Sequence, residues 1–564
     1  MTNALSYASG ASDTGLLGIT IGDMLDRTVA QHGTNEALVV RHQGIRWTYT
    51  EFGQRVDALA RALMALGVER GERIGIWSTN RAEWTLTQFA TAKLGAVLVN
   101  VNPSYLASEL EYALNQSGCR YLIVTDVFKT TDYNQILETV APELRSGVPG
   151  ALNLARLPEL KVVITLGHAR AGMLTWGELL ACSDQIPAAA LAARQAQLGF
   201  DDPINIQYTS GTTGFPKGAT LSHHNILNNG YFVARLMNFS HRDRLVIPVP
   251  LYHCFGMVMG NLGCVTHGAT MIYAEQAFDA HAVLSAVAEE RATALYGVPT
   301  MFIAELALPN FADFDLTSLR TGIMAGAPCP VEVMRKVQSL MHMHEVAIGY
   351  GMTETSPVST QTRIGTPLEK QVSTVGQVHP HVEIKVVDPE TGHTVPRGAL
   401  GEFCTRGYSV MLGYWSNAEA TSAAIDVSHW MHTGDLAVMD VDGYVNITGR
   451  IKDMIIRGGE NVYPREIEEF LYRHPSIKEV QVIGVPDPKF GEELMAWIQL
   501  ADGAVLTEAE VKAFCQGQIA RYKVPRYVKF VDSFPMTVTG KIQKFVMRKQ
   551  SVAELGLDPG VRTA

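Results

Sequence analysis

The chain has 564 residues, 47% of them hydrophobic, which is enough apolar material for about two to four domains with their own cores. Its 46 basic and 56 acidic residues give a net charge of −10 at pH 7, which argues against a general nucleic-acid binder. The seven cysteines are scattered without a C-x-x-C pair, so we expect reduced thiols in a cytoplasmic protein rather than a disulfide framework or a zinc site.

The first half of the chain alternates amphipathic helices with short apolar strands. Apolar residues at helical spacing predict a helix over residues 52–66, with Thr50 as its N-cap. Strands are predicted at RIGIW (73–77), RYLIVTD (120–126), KVVITLG (161–167), RLVIPV (244–249), ATMIYA (269–274) and EVAIGYG (345–351). Such runs between helices predict an α/β fold in which helices cover the β-sheets.

A phosphate-binding loop is predicted at YTSGTTGFPKG (208–218), which follows the apolar run INIQ. The stretch lacks the G-K-[ST] ending of a P-loop. Nevertheless, glycines let backbone N–H groups approach an anion, hydroxyls donate to phosphate oxygens, and a lysine adds charge. A flexible linker is the alternative, but it would be unusual between a strand and the predicted helix 222–237. The candidate residues are Thr209, Ser210, Gly211, Thr212, Thr213, Gly214 and Lys217.

The segment from Leu245 to Ala274 contains no Asp, Glu, Lys or Arg. Prolines, glycines and histidines interrupt it, whereas a membrane-spanning helix needs about 20 mostly apolar residues. We therefore predict a buried strand, a helix and a second strand here, and no integral membrane segment. An interior without charge but with histidines would also suit the wall of a pocket.

The pattern changes beyond residue 450. A helix from Pro464, strands at 479–487 and 494–500, a helix from Thr507 and a strand at 527–532 predict a small α+β domain. We place the domains at 1–450 and 451–564. Within the second, residues 521–549 carry eight Lys or Arg and one acid, Asp532. This stretch is either a solvated basic face or a cationic surface that faces a phosphate-bearing substrate.

Five further motifs follow the loop along the chain: AGAPCP (325–330), GYGMTET (349–355), HTGD (432–435), GRIKDMIIRGGENVYPREIE (449–468) and TVTGKIQK (537–544). With YTSGTTGFPKGATLSH (208–223), they resemble the signatures of the AMP-forming adenylate enzymes, which include acyl-CoA synthetases, firefly luciferase and the adenylation domains of peptide synthetases. The resemblance covers nearly the whole chain and is closest to the medium-chain fatty-acyl-CoA synthetase branch. It implies a large N-terminal domain of helix-covered sheets and a small, mobile C-terminal domain.

The resemblance implies a role for each matched residue. The loop and Thr353 would hold the phosphates of ATP, Glu354 would bind Mg²⁺, and Asp435 and Arg450 would contact the ribose. Taken alone, Asp435 would be read as an acid in a surface turn. The implied contacts to adenine are Tyr350 and Gly351 on one side and the backbone of Gly326, Ala327 and Pro328 on the other.

Lys541 is implied to bridge the carboxylate of the acid and the α-phosphate of ATP. An isolated lysine in such a loop would otherwise be a solvated charge. The reaction brings two anions together, and at ~4 Å and an effective dielectric near 20 one cation offsets about 4 kcal/mol of such repulsion. No general base is needed, because a carboxylic acid is already ionised at pH 7.

The implied reaction has two halves. The acid first displaces pyrophosphate from Mg-ATP to give an acyl-AMP, and the thiol of CoA then displaces AMP. Relatives rotate the small domain between the halves, about a hinge that falls here at Lys452. Gly459, with Gly458 before it, matches the glycine position that lets the pantetheine arm of CoA pass, although a simple tight turn is the alternative.

The acid pocket is implied to lie at PLYHCFGMVMG (250–260). His253, which we also count as a catalytic candidate, stands where amino-acid-activating relatives commonly have an Asp, and this argues against an amino-acid substrate. Met257 and Val258 indicate an apolar, adaptable wall, although core packing is an equal alternative for the methionines. We expect a medium-chain or branched aliphatic acid, with aryl acids second.

Several alternatives stay open at this stage. An aryl-CoA ligase, an acyl-AMP ligase with another acceptor and a luciferase-like oxidase share the same motifs, and a non-enzymatic ligand-binding homologue is the option outside enzymes. The expected partners are a carboxylic acid, ATP and CoA, without nucleic acid. The oligomeric state stays open, and a homodimer is one assembly to test.

Overall fold

The computed structural model describes residues 4–209, 216–327, 329–458, 460–536 and 542–557. The chain forms two compact units. The larger unit comprises Ala8–Ile384 and Thr405–Met431, and the smaller unit comprises Met1–Tyr7, Lys385–Cys404 and His432–Ala564. The predicted domain boundary at residue 450 was placed at the expected hinge between two orientations of the small domain. The division into domains 1–450 and 451–564 stays a prediction.

The α-helices within the described residues are α1 (Ile21–His32), α2 (Tyr49–Ala65), α3 (Ala82–Leu94), α4 (Ala107–Ser117), α5 (Tyr133–Val140), α6 (Trp176–Ala181), α7 (Ala188–Gln195), α8 (His223–Leu236) and α9 (Gly263–His267). They continue with α10 (Ala280–Glu290), α11 (Pro299–Leu306), α12 (Val331–Leu340), α13 (Leu368–Ser373), α14 (Ala418–Ala424), α15 (Pro464–Leu471), α16 (Glu508–Cys515) and α17 (Lys544–Glu554). A π-helix covers Phe255–Leu262.

The strands of the first part of the chain are β1 (Tyr7–Ser9), β2 (Glu36–Val40), β3 (Ile45–Thr48), β4 (Arg73–Trp77), β5 (Val97–Asn100), β6 (Tyr121–Val124), β7 (Val127–Phe128), β8 (Thr131–Asp132), β9 (Val162–Thr165) and β10 (Leu174–Thr175). The next are β11 (Pro203–Thr209), β12 (Lys217–Ser222), β13 (Arg244–Val246), β14 (Thr270–Tyr273), β15 (Ala294–Gly297), β16 (Thr321–Ala325), β17 (Glu345–Gly351), β18 (Val358–Gln361), β19 (Gln377–Val378) and β20 (Val382–Val387). The last are β21 (Leu400–Gly407), β22 (Gly413–Tyr414), β23 (Met431–Met439), β24 (Val445–Arg450), β25 (Ile455–Arg457), β26 (Glu460–Val462), β27 (Ile477–Asp487), β28 (Gly491–Leu500) and β29 (Tyr527–Phe530).

The larger unit contains two sheets built mainly from parallel strands. The eight-stranded sheet has the order β10-β9-β6-β4-β5-β11-β12-β22, and it is parallel from β10 to β11. The nine-stranded sheet has the order β19-β18-β17-β16-β15-β13-β14-β2-β3, and it is parallel from β17 to β2. Parallel neighbours need crossover connections, which explains the alternation of helices and apolar strands. The predicted α/β class is confirmed.

The helix predicted over 52–66 is α2, but it begins earlier, at Tyr49. Its N-cap is Thr48, whose hydroxyl accepts from the backbone N of Glu51 at 3.2 Å. In return, the Glu51 carboxylate accepts from the backbone N of Thr48 at 2.8 Å. The prediction of Thr50 as the cap was therefore wrong: the reciprocal capping box forms around Thr48, and Thr50 lies in the first turn.

The charge-free segment from Leu245 to Ala274 folds as predicted, with β13, the π-helix, α9 and β14 in succession. All eight residues of the π-helix are buried. Among the helices that the structure describes, none is both long and apolar enough to cross a membrane.

The smaller unit contains the predicted α+β elements. Their strands form a sheet of order β26-β25-β28-β27, in which β29 pairs in parallel with β28, and β23 and β24 belong to a separate sheet of order β1-β20-β21-β23-β24. Helix α15 begins at Pro464, as predicted, because a proline in the first turn loses no helical hydrogen bond. The helix predicted from Thr507 is α16, which begins at Glu508 with Thr507 as its N-cap.

The basic stretch 521–549 is largely neutralised by acids. Five of its cations form ion pairs: Lys523–Glu466, Arg526–Asp487, Lys529–Glu554, Lys544–Glu468 and Arg548–Glu492, at 2.5–2.7 Å. Of the two predicted alternatives, these ion pairs favour a solvated surface whose charges are balanced over a cationic surface that faces a phosphate-bearing substrate.

Candidate active site

The predicted phosphate loop connects two antiparallel strands. Thr209 ends β11 and lies opposite Lys217, the first residue of β12. A helix was expected directly after the loop, but β12 intervenes and α8 begins only at His223, capped by Ser222. A six-residue strand was missed because its residues, KGATLS, carry little apolar periodicity.

Glu354 is a buried carboxylate held by two hydroxyl groups. Glu354 is 4% exposed and lies in the short 3₁₀ helix Thr353–Thr355 after β17. The Oε1 atom accepts from Thr209 Oγ1 at 3.2 Å and from the Tyr414 hydroxyl at 2.8 Å. Among the residues that the structure describes, Oε2 receives no side-chain hydrogen bond. One carboxylate oxygen is thus oriented, and the second can serve a cation.

Tyr414 is a site residue that sequence reasoning missed. Burial and the adjacent Glu354 carboxylate raise the pKa of its hydroxyl, which therefore stays protonated and donates. The Lys217 ammonium group lies over the Tyr414 ring, 5.0 Å from its centre. Tyr414 is 60 positions from Glu354 in the chain, so no local pattern could have linked them.

The two segments predicted to enclose adenine meet at one sheet edge. Strand β16 ends at Ala325, which is in register with Gly349 of the parallel neighbour β17. Gly326 follows β16 with φ of +89°, and Tyr350 and Gly351 end β17. The carboxyl ends of parallel strands are the usual place for a ligand in an open α/β sheet. The structure thus brings these predicted residues together.

Gly351 allows the backbone to double back at the end of β17. A Cβ at this position would lie 1.7 Å from the carbonyl oxygen of Pro357. No side chain can relieve that overlap, because the obstructing atom is backbone. The chain therefore needs glycine here to place the turn that carries Glu354.

We expect Gly351→Ala to lower the unfolding free energy by about 1–3 kcal/mol or more, through overpacking against backbone. Gly349→Ala is the matched control on the same strand, since its nearest atoms would be 3.9 Å from the new Cβ. Melting temperatures of the two variants check the prediction. Equal melting temperatures would contradict it.

The segment predicted to line the acid pocket is the π-helix, a distortion often found at functional sites. Met257 and Val258 are buried within it. The Met257 thioether accepts from Asn100 Nδ2 at 3.1 Å and from Gln207 Nε2 at 3.2 Å. The sequence left Met257 open as either an adaptable pocket wall or core packing, and the structure buries it with two amides bonded to its sulfur. His253 lies just before the π-helix.

The ribose candidates lie in the smaller unit. Asp435 in β23 is in register with Arg450 in β24, and Asp435 Oδ1 lies 3.1 Å from Arg450 Nε. The Arg450 side chain is 52% exposed. Lys452 is exposed in the 3₁₀ turn Ile451–Asp453, and Gly458 adopts φ of +61° in the β25–β26 turn. This conformation of Gly458 is compatible with both predicted alternatives, a simple tight turn and a passage for the pantetheine arm of CoA.

One cluster of candidate metal ligands occurs among the described residues. One ligand atom each of Glu402, Cys404 and His432 lies within 4.8 Å of the others. His432 Nδ1 is 2.8 Å from Glu402 Oε2 and 3.5 Å from Cys404 Sγ. A shared imidazolium proton satisfies this arrangement, so we interpret it as a hydrogen-bonded cluster.

Other predicted site residues lie outside the described residues, and their roles stay predictions: Ser210, Gly211, Thr212, Thr213, Gly214, Pro328, Gly459 and Lys541.

Comparison with known proteins identifies the class. The AMP-binding enzyme family matches residues 25–415, and the AMP-binding enzyme C-terminal domain matches residues 466–541. YngI of Bacillus subtilis strain 168, provisionally named an acyl-CoA synthetase, is 50% identical over 96% of this chain and 99% of its own. ACSF2 of Danio rerio, named a mitochondrial medium-chain acyl-CoA ligase, is 47% identical over 99% of this chain and 92% of its own.

Solved structures agree with this comparison. The anthranilate CoA ligase AuaEII in complex with anthranoyl-AMP matches with a TM-score of 0.83 and 28% identity, over 97% of this chain and 99% of that one. The chain belongs to the family of AMP-binding enzymes. It is an AMP-forming acid–thiol ligase of the acyl-CoA synthetase type, which activates a carboxylic acid with ATP and transfers the acyl group to CoA.

Proposed function

We propose that the acid is a medium-chain or branched aliphatic acid and that the predicted residues perform the roles described below. The observation that carries the assignment of roles is the hydrogen bond from Thr209 to Glu354. It joins the strand that enters the phosphate loop to the carboxylate proposed for the metal. In a reaction that releases pyrophosphate, the metal ion binds phosphate oxygens, so its carboxylate ligand must lie near the phosphate loop.

Glu354 is the proposed magnesium ligand. A single oriented carboxylate suits Mg²⁺, which uses few protein ligands and completes its shell with phosphate oxygens and water. When bound, the ion would neutralise charge on the departing pyrophosphate. Thr353 beside it is proposed to hold the α-phosphate, and Lys217 to hold the phosphates that leave.

The remaining roles follow the same proposal. Asp435 and Arg450 bind the ribose, Tyr350 and Gly351 lie against adenine, and Lys541 offsets the charge of the attacking carboxylate. Lys452 is the hinge for the change between the two half-reactions. In the second half the sulfur of CoA loses its proton and bonds to the acyl carbon, and AMP leaves with the electron pair of the broken acyl C–O bond.

The buried π-helix supports an apolar acid. Neither Asp nor Glu lies between Arg244 and Glu275, so an ammonium group would have no counter-charge in that segment. The name of ACSF2 points to medium-chain acids for that relative. An aryl acid is the second candidate, because AuaEII, named for anthranilate, shares the fold.

Pyrophosphate exchange over a panel of acids tests the proposal. We expect the highest kcat/KM with aliphatic acids of about 6–12 carbons, since each buried CH₂ adds about 0.8 kcal/mol until the pocket is full. Benzoate and anthranilate should be poorer substrates. A preference for the aryl acids would overturn the aliphatic assignment.

Release of AMP on addition of CoA tests the acceptor in the same assay. Exchange without a thioester product would favour an acyl-AMP ligase with another acceptor. Sedimentation analysis of the purified protein would test a homodimer. We also propose a cytoplasmic location, which the free thiols of all seven cysteines support.

A further inference from the structure

Glu402 binds the HTGD segment (432–435) of β23 with both carboxylate oxygens. Its Oε2 accepts from His432 Nδ1 at 2.8 Å, and its Oε1 accepts from the backbone N of Gly434 at 3.0 Å. The two bonds reach the first and third residues of the segment, and Asp435 is its fourth. The Glu402 side chain is 12% exposed, so water competes little for these contacts.

The HTGD segment has a second connection to the neighbouring strand β21. The Thr433 hydroxyl donates to the carbonyl of Phe403 at 2.7 Å and accepts from the backbone N of Asp435 at 3.1 Å. Gly434 adopts φ of +70°, which glycine tolerates without strain. The backbone around Asp435 is therefore held by side-chain bonds from Glu402 and Thr433.

The Glu402–His432 contact, at 2.8 Å, is an ion pair when the imidazole is protonated. Hydrogen bonds with Cys404 and with Glu402 raise the pKa of His432 to about 10, in spite of the burial that opposes them. The imidazolium thus carries its proton at pH 7. Hydrogen bonds between charged groups are roughly twice as strong as neutral ones.

We propose that Glu402 is a positioning residue for ATP, which holds the HTGD segment of β23 so that Asp435 meets the ribose hydroxyls without reorganisation. The inference rests on the ribose role of Asp435 in the proposed function. A ribose contact is the same in the ground state and the transition state, so its loss acts on the KM for ATP more than on kcat.

The test compares substitutions at Glu402 with a matched control. Glu402→Ala removes both bonds and should raise the KM for ATP about 10-fold, with kcat and the KM for the acid within about twofold. Glu402→Gln keeps a carbonyl oxygen that can accept from the backbone N of Gly434 but puts an amide NH₂ where Oε2 accepted from His432, so only one of the two bonds is lost and its rise should be smaller. Glu383→Ala, which removes a half-buried strand glutamate paired with Arg406 at 2.7 Å, should leave all three constants unchanged.

A double-mutant cycle separates positioning from general damage. The effects of Glu402→Gln and His432→Gln should not add, because each removes the same ion pair. An equal rise in the KM for the acid, a fall in kcat at constant KM for ATP, or strict additivity would overturn the proposal. If Glu402→Ala does not fold, the KM for ATP of Glu402→Gln and the additivity in the double-mutant cycle decide whether the proposal holds.

Asp435→Ala distinguishes this inference from the proposed function. A raised KM for ATP in Asp435→Ala, with none in either Glu402 variant, would overturn the positioning role alone. An unchanged KM for ATP in Asp435→Ala would overturn the ribose assignment itself.

Discussion

Replacing Lys541 with alanine is expected to slow acyl-adenylate formation by about 10²–10³-fold or more. The substitution removes the cation that offsets the approach of the carboxylate to the α-phosphate. Formation of the thioester from supplied acyl-AMP and CoA should be largely spared, because attack of the CoA sulfur on the acyl carbon does not bring a carboxylate toward the α-phosphate. Single-turnover measurements of each half-reaction check the prediction.

Lys549→Ala is the control for Lys541→Ala. It removes an exposed lysine of α17 from the same basic stretch, and both half-reactions should proceed at the original rates. Equal loss of both half-reactions in Lys541→Ala would contradict the proposal that the small domain adopts one orientation for adenylation and another for thioester formation. In that case Lys541 would serve the bound acyl-AMP in both halves.

Glu354→Gln is expected to slow pyrophosphate exchange on the order of 10²-fold and to raise the Mg²⁺ concentration needed for half-maximal rate, because a bound metal contributes several kcal/mol to such a transition state. Glutamine keeps an acceptor for Thr209 and Tyr414 but loses the charge that attracts a cation. The melting temperature should change little, since the shape and the hydrogen bonds are retained. Exchange rates over a Mg²⁺ titration check the prediction.

Tyr414→Phe separates orientation of Glu354 from metal binding. It removes one hydrogen bond to the carboxylate and leaves the charge, so we expect a loss of less than about 10-fold and an unchanged Mg²⁺ requirement. A slow Glu354→Gln enzyme with an unaltered Mg²⁺ requirement would mean that the carboxylate orients Thr209 rather than a metal.

The secondary structure was largely readable from local patterns. The helix at α2, the strands at 73–77 and 345–351 and the elements from Pro464 onward follow from apolar periodicity and helix start signals. The misplaced cap at Thr50 shows the limit of this approach. Two threonines stand two positions apart, and only the reciprocal bonds with Glu51 select Thr48.

The site was readable where its residues form ordered motifs. Glu354, Asp435 and Lys217 stand in short segments with the chemistry of a nucleotide site, and their order along the chain matched a family. Tyr414 and Glu402 were not predicted. Each contacts its partner across 30 or more positions, through a side chain in a segment that carries no motif of its own.

The sequence by itself determined the class of enzyme, the reaction and the types of residue that the reaction needs. Those conclusions depend on chemical identity and on order along the chain, both of which a sequence records directly. Only the tertiary structure decided that Glu354 is held by Thr209 and Tyr414, that amides contact the Met257 sulfur, and that Glu402 binds the part of β23 directly before Asp435. The register of neighbouring strands and the burial of side chains decide such pairings, because hydrogen bonds act over about 3 Å in space, however far apart the partners are in sequence.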